Sequence, residues 1–191
     1  MDQNKWIGAG AGLLVGLVIG YFVGSNRASA PVIPPPAPSA AGPAPAWIPG
    51  FSEIQKMIFS AQQAVEKDPR NLQAWIALGN GYFDTHQAQK SIEAYGKALE
   101  LDPRNPNVLT DQGIMFREIK AFDKAIANFE QANKIDPKHL QSLYNLGIVY
   151  ANDMNAADKA IKVWNRVITM DPASPQADLS RKALEELKAK P

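Results

Sequence analysis

The feature that most constrains this chain is a dipeptide on a near-constant period. Asp-Pro occurs at Asp68-Pro69, Asp102-Pro103, Asp136-Pro137 and Asp171-Pro172, with spacings of 34, 34 and 35 residues. A period of this length specifies stacked supersecondary units, each too small to bury its apolar side without a neighbour. Other residue types keep the same register. Gly79, Gly113 and Gly147 occupy one position, and Tyr82, Phe116 and Tyr150 follow three residues later. Each proline marks a helix stop, because the residue before it is pushed away from the αR region.

These residues resemble the tetratricopeptide repeat, whose signature reads W-x2-L-G-x2-Y, then A-x3-F, then P. The first unit, 72–105, matches with Trp75, Leu78, Gly79, Tyr82, Tyr95, Ala98 and Pro103, and has Ser91 at the first alanine position. The second, 106–139, matches with Leu109, Gly113, Phe116, Ala125, Phe129, Ala132 and Pro137, and has Gln112 in place of leucine. The third, 140–174, matches with Leu143, Leu146, Gly147, Tyr150, Ala160, Trp164 and Pro172 once one extra residue is placed in the turn between Asn152 and Asp158. The resemblance implies two antiparallel helices per unit, with the register glycines where helices approach closely, the rings as bulk between helices, and Ala98 and Ala132 keeping the next crossing tight. The expected fold is an all-α solenoid of helical hairpins over residues 51–191. A helix over 52–67 begins with a Ser52–Gln55 capping box and acts as half a repeat. A closing helix over 175–189 starts at Ser174-Pro175 and turns a charged face of Arg181, Lys182, Glu185 and Lys188 to water.

The resemblance implies a concave groove, lined by the first helices, that holds a partner peptide. Its positions are Gln73, Ile76, Asn80, Phe83 and Asp84 in the first unit, and Asn107, Thr110, Ile114 and Arg117 in the second. The third contributes Gln141, Tyr144, Asn145, Ile148 and Asn152. Amides there can bond an extended backbone, and the apolar members can bury side chains. Some members of this family clamp a C-terminal carboxylate with two lysines, an arginine and two asparagines. Here Asn80 matches one asparagine, but Ile76, Gln141 and Asn145 stand at the basic positions and Asp111 replaces the second asparagine. A carboxylate would meet no compensating charge, so a clamp of that kind is not expected.

The N-terminal zone has a different composition. Trp6 to Val23 is an 18-residue run without a charge. As a helix it spans roughly 27 Å, close to the hydrocarbon thickness of a bilayer. Trp6 and Tyr21 lie near its two ends, where amphipathic rings favour the headgroup boundary, and Lys5 and Arg27 bracket it. Residues 1–27 therefore read as a single transmembrane anchor. The competing reading is a cleaved signal peptide ending at Ala28-Ser29-Ala30, although its apolar run exceeds an ordinary h-region. Charge bias does not set the orientation. The five-residue tail fits an N-terminus in the cytoplasm, which puts the repeats in the periplasm of a Gram-negative cell, with a cytoplasm-facing array as the alternative. Gly8, Gly12, Gly16, Gly20 and Gly24 recur every four residues, a small-xxx-small pattern through which membrane helices associate. Residues 28–50 form a linker. The stretch 31–50 holds eight prolines and no charge, which favours a semi-rigid polyproline II spacer with a reach of about 60 Å.

Composition narrows the chemistry. The 20 basic and 19 acidic residues leave a net charge of +1, too little to gather nucleic acid. No cysteine is present, which removes disulfides and thiolate chemistry, and the two histidines, His86 and His139, are far apart in sequence. No constellation of catalytic groups is visible, so neither an enzyme nor a cofactor is expected. The expected role is a membrane-anchored scaffold or adaptor that binds a protein or peptide partner. Two alternatives stand beside it. In one, the glycine-rich helix oligomerises and the repeats organise a membrane complex. In the other, the chain is similar to accessory proteins of bacterial cytochrome c maturation, which present apocytochrome to the haem ligation machinery.

Overall fold

A computed structural model describes residues 50–189. The anchor, the glycine pattern and almost all of the linker fall outside the described residues. Among those described, no helix is long and apolar enough to cross a membrane.

Among the described residues, eight α-helices follow in chain order: α1 (Phe51–Lys67), α2 (Leu72–Asp84), α3 (Ala88–Leu101), α4 (Pro106–Glu118), α5 (Phe122–Ile135), α6 (Leu140–Ile148), α7 (Ala157–Met170) and α8 (Pro175–Ala189). They pair as hairpins α2–α3, α4–α5 and α6–α7, with a single helix at each end. Each hairpin packs on the next through its second helix. The first helices also touch one another in series, α2 to α4, α4 to α6 and α6 to α8, so they line one side of the stack.

The Asp-Pro corner does more than stop a helix. In every copy the aspartate side chain accepts a bond from the backbone two residues on: Arg70 N to Asp68 (3.0 Å), Arg104 N to Asp102 (3.2 Å), Lys138 N to Asp136 (2.9 Å) and Ala173 N to Asp171 (3.2 Å). This local turn is available to aspartate because of its short acceptor side chain. Three residues after each aspartate sits an N-cap. Asn71 Oδ1 accepts from Ala74 N, Asn105 Oδ1 from Val108 N, His139 Nδ1 from Ser142 N, and Ser174 Oγ from Ala177 N. Each cap satisfies one of the orphan amides that begin α2, α4, α6 and α8, and each corner bond pairs an amide of the turn before the helix.

The register glycines receive the aromatic ring of their own hairpin's second helix. A Cβ on Gly79 would lie 2.5 Å from the Tyr95 ring, and one on Gly113 would lie 2.7 Å from Phe129. Gly147 faces Trp164 in the same way. Tyr95, Phe129 and Trp164 are consequently almost fully buried.

Two expectations need correction. The capping box at Ser52 does not form: Gly50, at φ 79°, is the N-cap of α1, and Ser52 Oγ donates to the neighbouring Glu53 carboxylate instead. Helix α1 already begins at Phe51, so Ser52 is inside it and its hydroxyl is too late to cap. The extra residue of the third unit is also not in the turn. It is absorbed within the first helix, which passes from α6 into a π-helical segment, Val149–Asp153. The i→i+5 bond from Met154 N to Val149 O (3.0 Å) closes that segment and keeps the following turn close to its counterparts.

Helix α1 is placed as a second helix, and among the described residues no first helix precedes it. Met57 is 53% exposed, whereas Ser91, Ala125 and Ala160 at the same register position are fully buried. At the other end, Ala183, Leu184 and Leu187 of α8 pack against Ala160 and Trp164 and cover the last hairpin.

Candidate ligand groove

The side formed by the first helices carries most of the positions expected to face a ligand. Gln73, Asn80, Asp84, Asn107, Gln141 and Asn152 are exposed. Ile76, Phe83, Ile114, Arg117, Tyr144, Asn145 and Ile148 are half-buried, and the apolar five pack part of their surface against core clusters. Thr110 is the exception. It is fully buried, and its hydroxyl donates to Pro106 O (2.7 Å), so it is not a ligand contact. Its position one turn into α4 lies against the corner that begins the third unit, where His139 Nδ1 approaches its hydroxyl at 3.4 Å.

Several polar members are already engaged in building the wall. Asn107 Oδ1 pairs with His139 Nε2 (2.9 Å), which leaves Nδ1 as the acceptor that caps α6. That role needs a neutral ring, and burial pulls the His139 pKa down accordingly. Asn145 donates to Gln141 O within its own helix (2.9 Å). Arg117 forms a two-pronged ion pair with Asp153 of the π-helical segment; its Nη2 lies 3.3 Å from Asp153 Oδ1. The basic residue expected in the groove is thus neutralised by the wall itself.

The third unit is partly closed. Tyr144 and Ile148 pack beside Ala183, Leu184 and Leu187 of α8, and burial with the nearby Glu186 raises the Tyr144 pKa. The open part lies between the first two units. There Asn80, Phe83 and Asp84 of α2, Tyr95 of α3 and Asp111 of α4 line an open cavity of about 230 Å³. Tyr95 is only 1% exposed, and its hydroxyl donates to Asn80 Oδ1 (2.7 Å), which fixes the amide at the cavity rim. Asp111 is pushed up to about 6, first by burial and then by the charge of Asp84. Sequence reasoning took Tyr95 only as a residue matching the repeat signature and Asp111 only as a departure from the clamp pattern. A signal for the pocket was present in retrospect: Asp84 ends one first helix, and Asp111 sits where the neighbouring first helix passes it.

No group of three or more His, Asp or Glu side chains among the described residues could hold a metal ion.

Tetratricopeptide repeat models match residues 72–105 and 108–139. No curated protein matches the chain. Among solved structures, a crystal structure of MamA protein is 25% identical, with a TM-score of 0.63, over 72% of this chain and 74% of that one. A second, MamA 41-end from Desulfovibrio magneticus RS-1, is 13% identical at a TM-score of 0.61, over 66% of this chain and 71% of that one. The first TPR of Spaghetti (RPAP3), bound to the HSP90 peptide SRMEEVD, is 20% identical at a TM-score of 0.57, over 63% of this chain and 93% of that one. Residues 72–105 and 108–139 are tetratricopeptide repeats, set within an all-α array of helical hairpins.

Proposed function

We propose that this chain is a non-catalytic scaffold that binds a segment of a partner polypeptide in the groove formed by α2, α4 and α6. The observation that carries this reading is the set of half-buried apolar side chains, Ile76, Phe83 and Ile114, beside the exposed amides of Gln73 and Asn80 on one continuous side of the stack. An extended segment laid there covers apolar edges and gains backbone hydrogen bonds without rearranging the helices. The solved array bound to an HSP90 peptide shows that a similar fold can hold a short segment.

The uncharged run Trp6–Val23 supports a membrane anchor, and the proline-rich 31–50 supports a spacer that lifts the array away from the bilayer. In this reading the repeats are periplasmic and recruit a partner close to the inner membrane. Partner recovery from solubilised membranes tests it. Ile114→Asp, with retention of helicity as the control, abolishes recovery if the groove binds. If Gly12→Leu with Gly16→Leu abolishes recovery instead, the glycine-rich helix organises the complex and the groove reading fails. Protease accessibility in spheroplasts reports the side: cleavage in spheroplasts but not in intact cells is the periplasmic result.

A further inference from the structure

The cavity between the first two repeats is lined mainly by polar side chains, with Phe83 as its one wholly apolar member. Its two carboxylates come from different helices and different repeats, Asp84 at the C-terminal end of α2 and Asp111 in α4, so the stacking of the units brings them together. Neither takes part in any of the ion pairs formed among the described residues, and Arg117, the basic residue among the expected groove positions, is held by Asp153. Phe83 supplies a half-buried aromatic wall, and Asn80 is held in place through its oxygen by Tyr95.

We infer that this cavity takes the cationic end of a lysine or arginine side chain, so that the groove selects a basic segment of its partner. A guanidinium entering here can bond both carboxylates and lie against the Phe83 ring. An acidic segment, such as the HSP90 peptide SRMEEVD, would meet two carboxylates and no cationic side chain in the lining of this cavity. Asp111 also pays a penalty that an asparagine would avoid, since burial and Asp84 both oppose its charge. A bound cation removes that penalty. The inference rests on the groove reading above and adds the identity of one anchor residue.

Degenerate dodecapeptide pools with randomised uncharged flanks and one fixed central residue (Arg, Lys, Leu or Glu) test it against the full-length chain by fluorescence anisotropy. The expected result is binding of the Arg and Lys pools at least about tenfold tighter than the Glu pool, weakening with added salt. Asp84→Asn with Asp111→Asn brings the Arg and Lys pools to the Leu level while the helical signal is unchanged. Equal binding of all pools, lost in Ile114→Asp, overturns the basic-segment inference and leaves the groove reading standing. Tighter binding of the Glu pool also overturns the inference. No binding by any pool overturns both.

Discussion

Asp111 illustrates how a single residue can be set against stability. Its folded pKa, raised to about 6 from 3.8, means that the native state holds a proton that the unfolded chain has released in that interval. Its contribution is therefore fully present below about pH 4, is lost as pH rises through 6, and remains an unfavourable term at pH 7. Asp111→Asn should raise stability at pH 7 by about 1–2 kcal/mol and remove the difference at pH 4, as read from paired denaturant titrations. His139 runs the other way. Its lowered pKa means that stability from its cap is present at neutral pH and is lost as pH falls below 6.5, in wild type and variant alike. Glycines give a second contrast. Gly113→Ala drives a Cβ into the Phe129 ring, which is fully buried and has nowhere to swing, so a loss of about 1–3 kcal/mol is expected. Gly96→Ala meets only the Gln112 amide at 3.6 Å and should gain about 0.5–1 kcal/mol from helix propensity. Thermal unfolding of the two variants should shift in opposite directions.

At the scale of elements, the helices were legible because glycine, ring and proline recur in register, and periodicity that repeats three times resists chance. Their starts were harder to read. A Ser-x-x-Gln pattern at Ser52 resembles a capping box, but the choice of first residue depends on Gly50 taking a left-handed conformation, which the pattern does not report. The caps that form, Asn71, Asn105, His139 and Ser174, lie three residues beyond each aspartate. His139 escaped notice because histidine is an uncommon cap and needs Asn107 from the preceding unit to fix its tautomer. Asn105→Ala removes the acceptor at the start of α4 and should cost about 1 kcal/mol, measurable by chemical denaturation. The extra residue of the third unit was visible as a count, but its location was not. A π-helical segment and a longer turn satisfy the same spacing, and the Arg117–Asp153 pair is the contact that the π-helical placement brings together.

For the whole molecule, stacking decides which expected groove positions remain available. Helix α8 packs on the same Ala151, Ala160 and Trp164 cluster as Tyr144 and Ile148, and the third-unit corner covers Thr110, both consequences of contacts between distant residues that a position-by-position transfer cannot register. The same stacking creates the Asp84–Asp111 cavity from residues that are unremarkable alone. The central claim is that the first-helix side binds a polypeptide. It is tested most directly by placing a photo-crosslinking amino acid singly at Asn80 or Gln73 on that side, and at Lys97 or Arg166 on the second helices, in the full chain within intact cells. The account predicts a discrete protein adduct from Asn80 and Gln73 and none from Lys97 or Arg166. Adducts confined to Lys97 and Arg166 would contradict it.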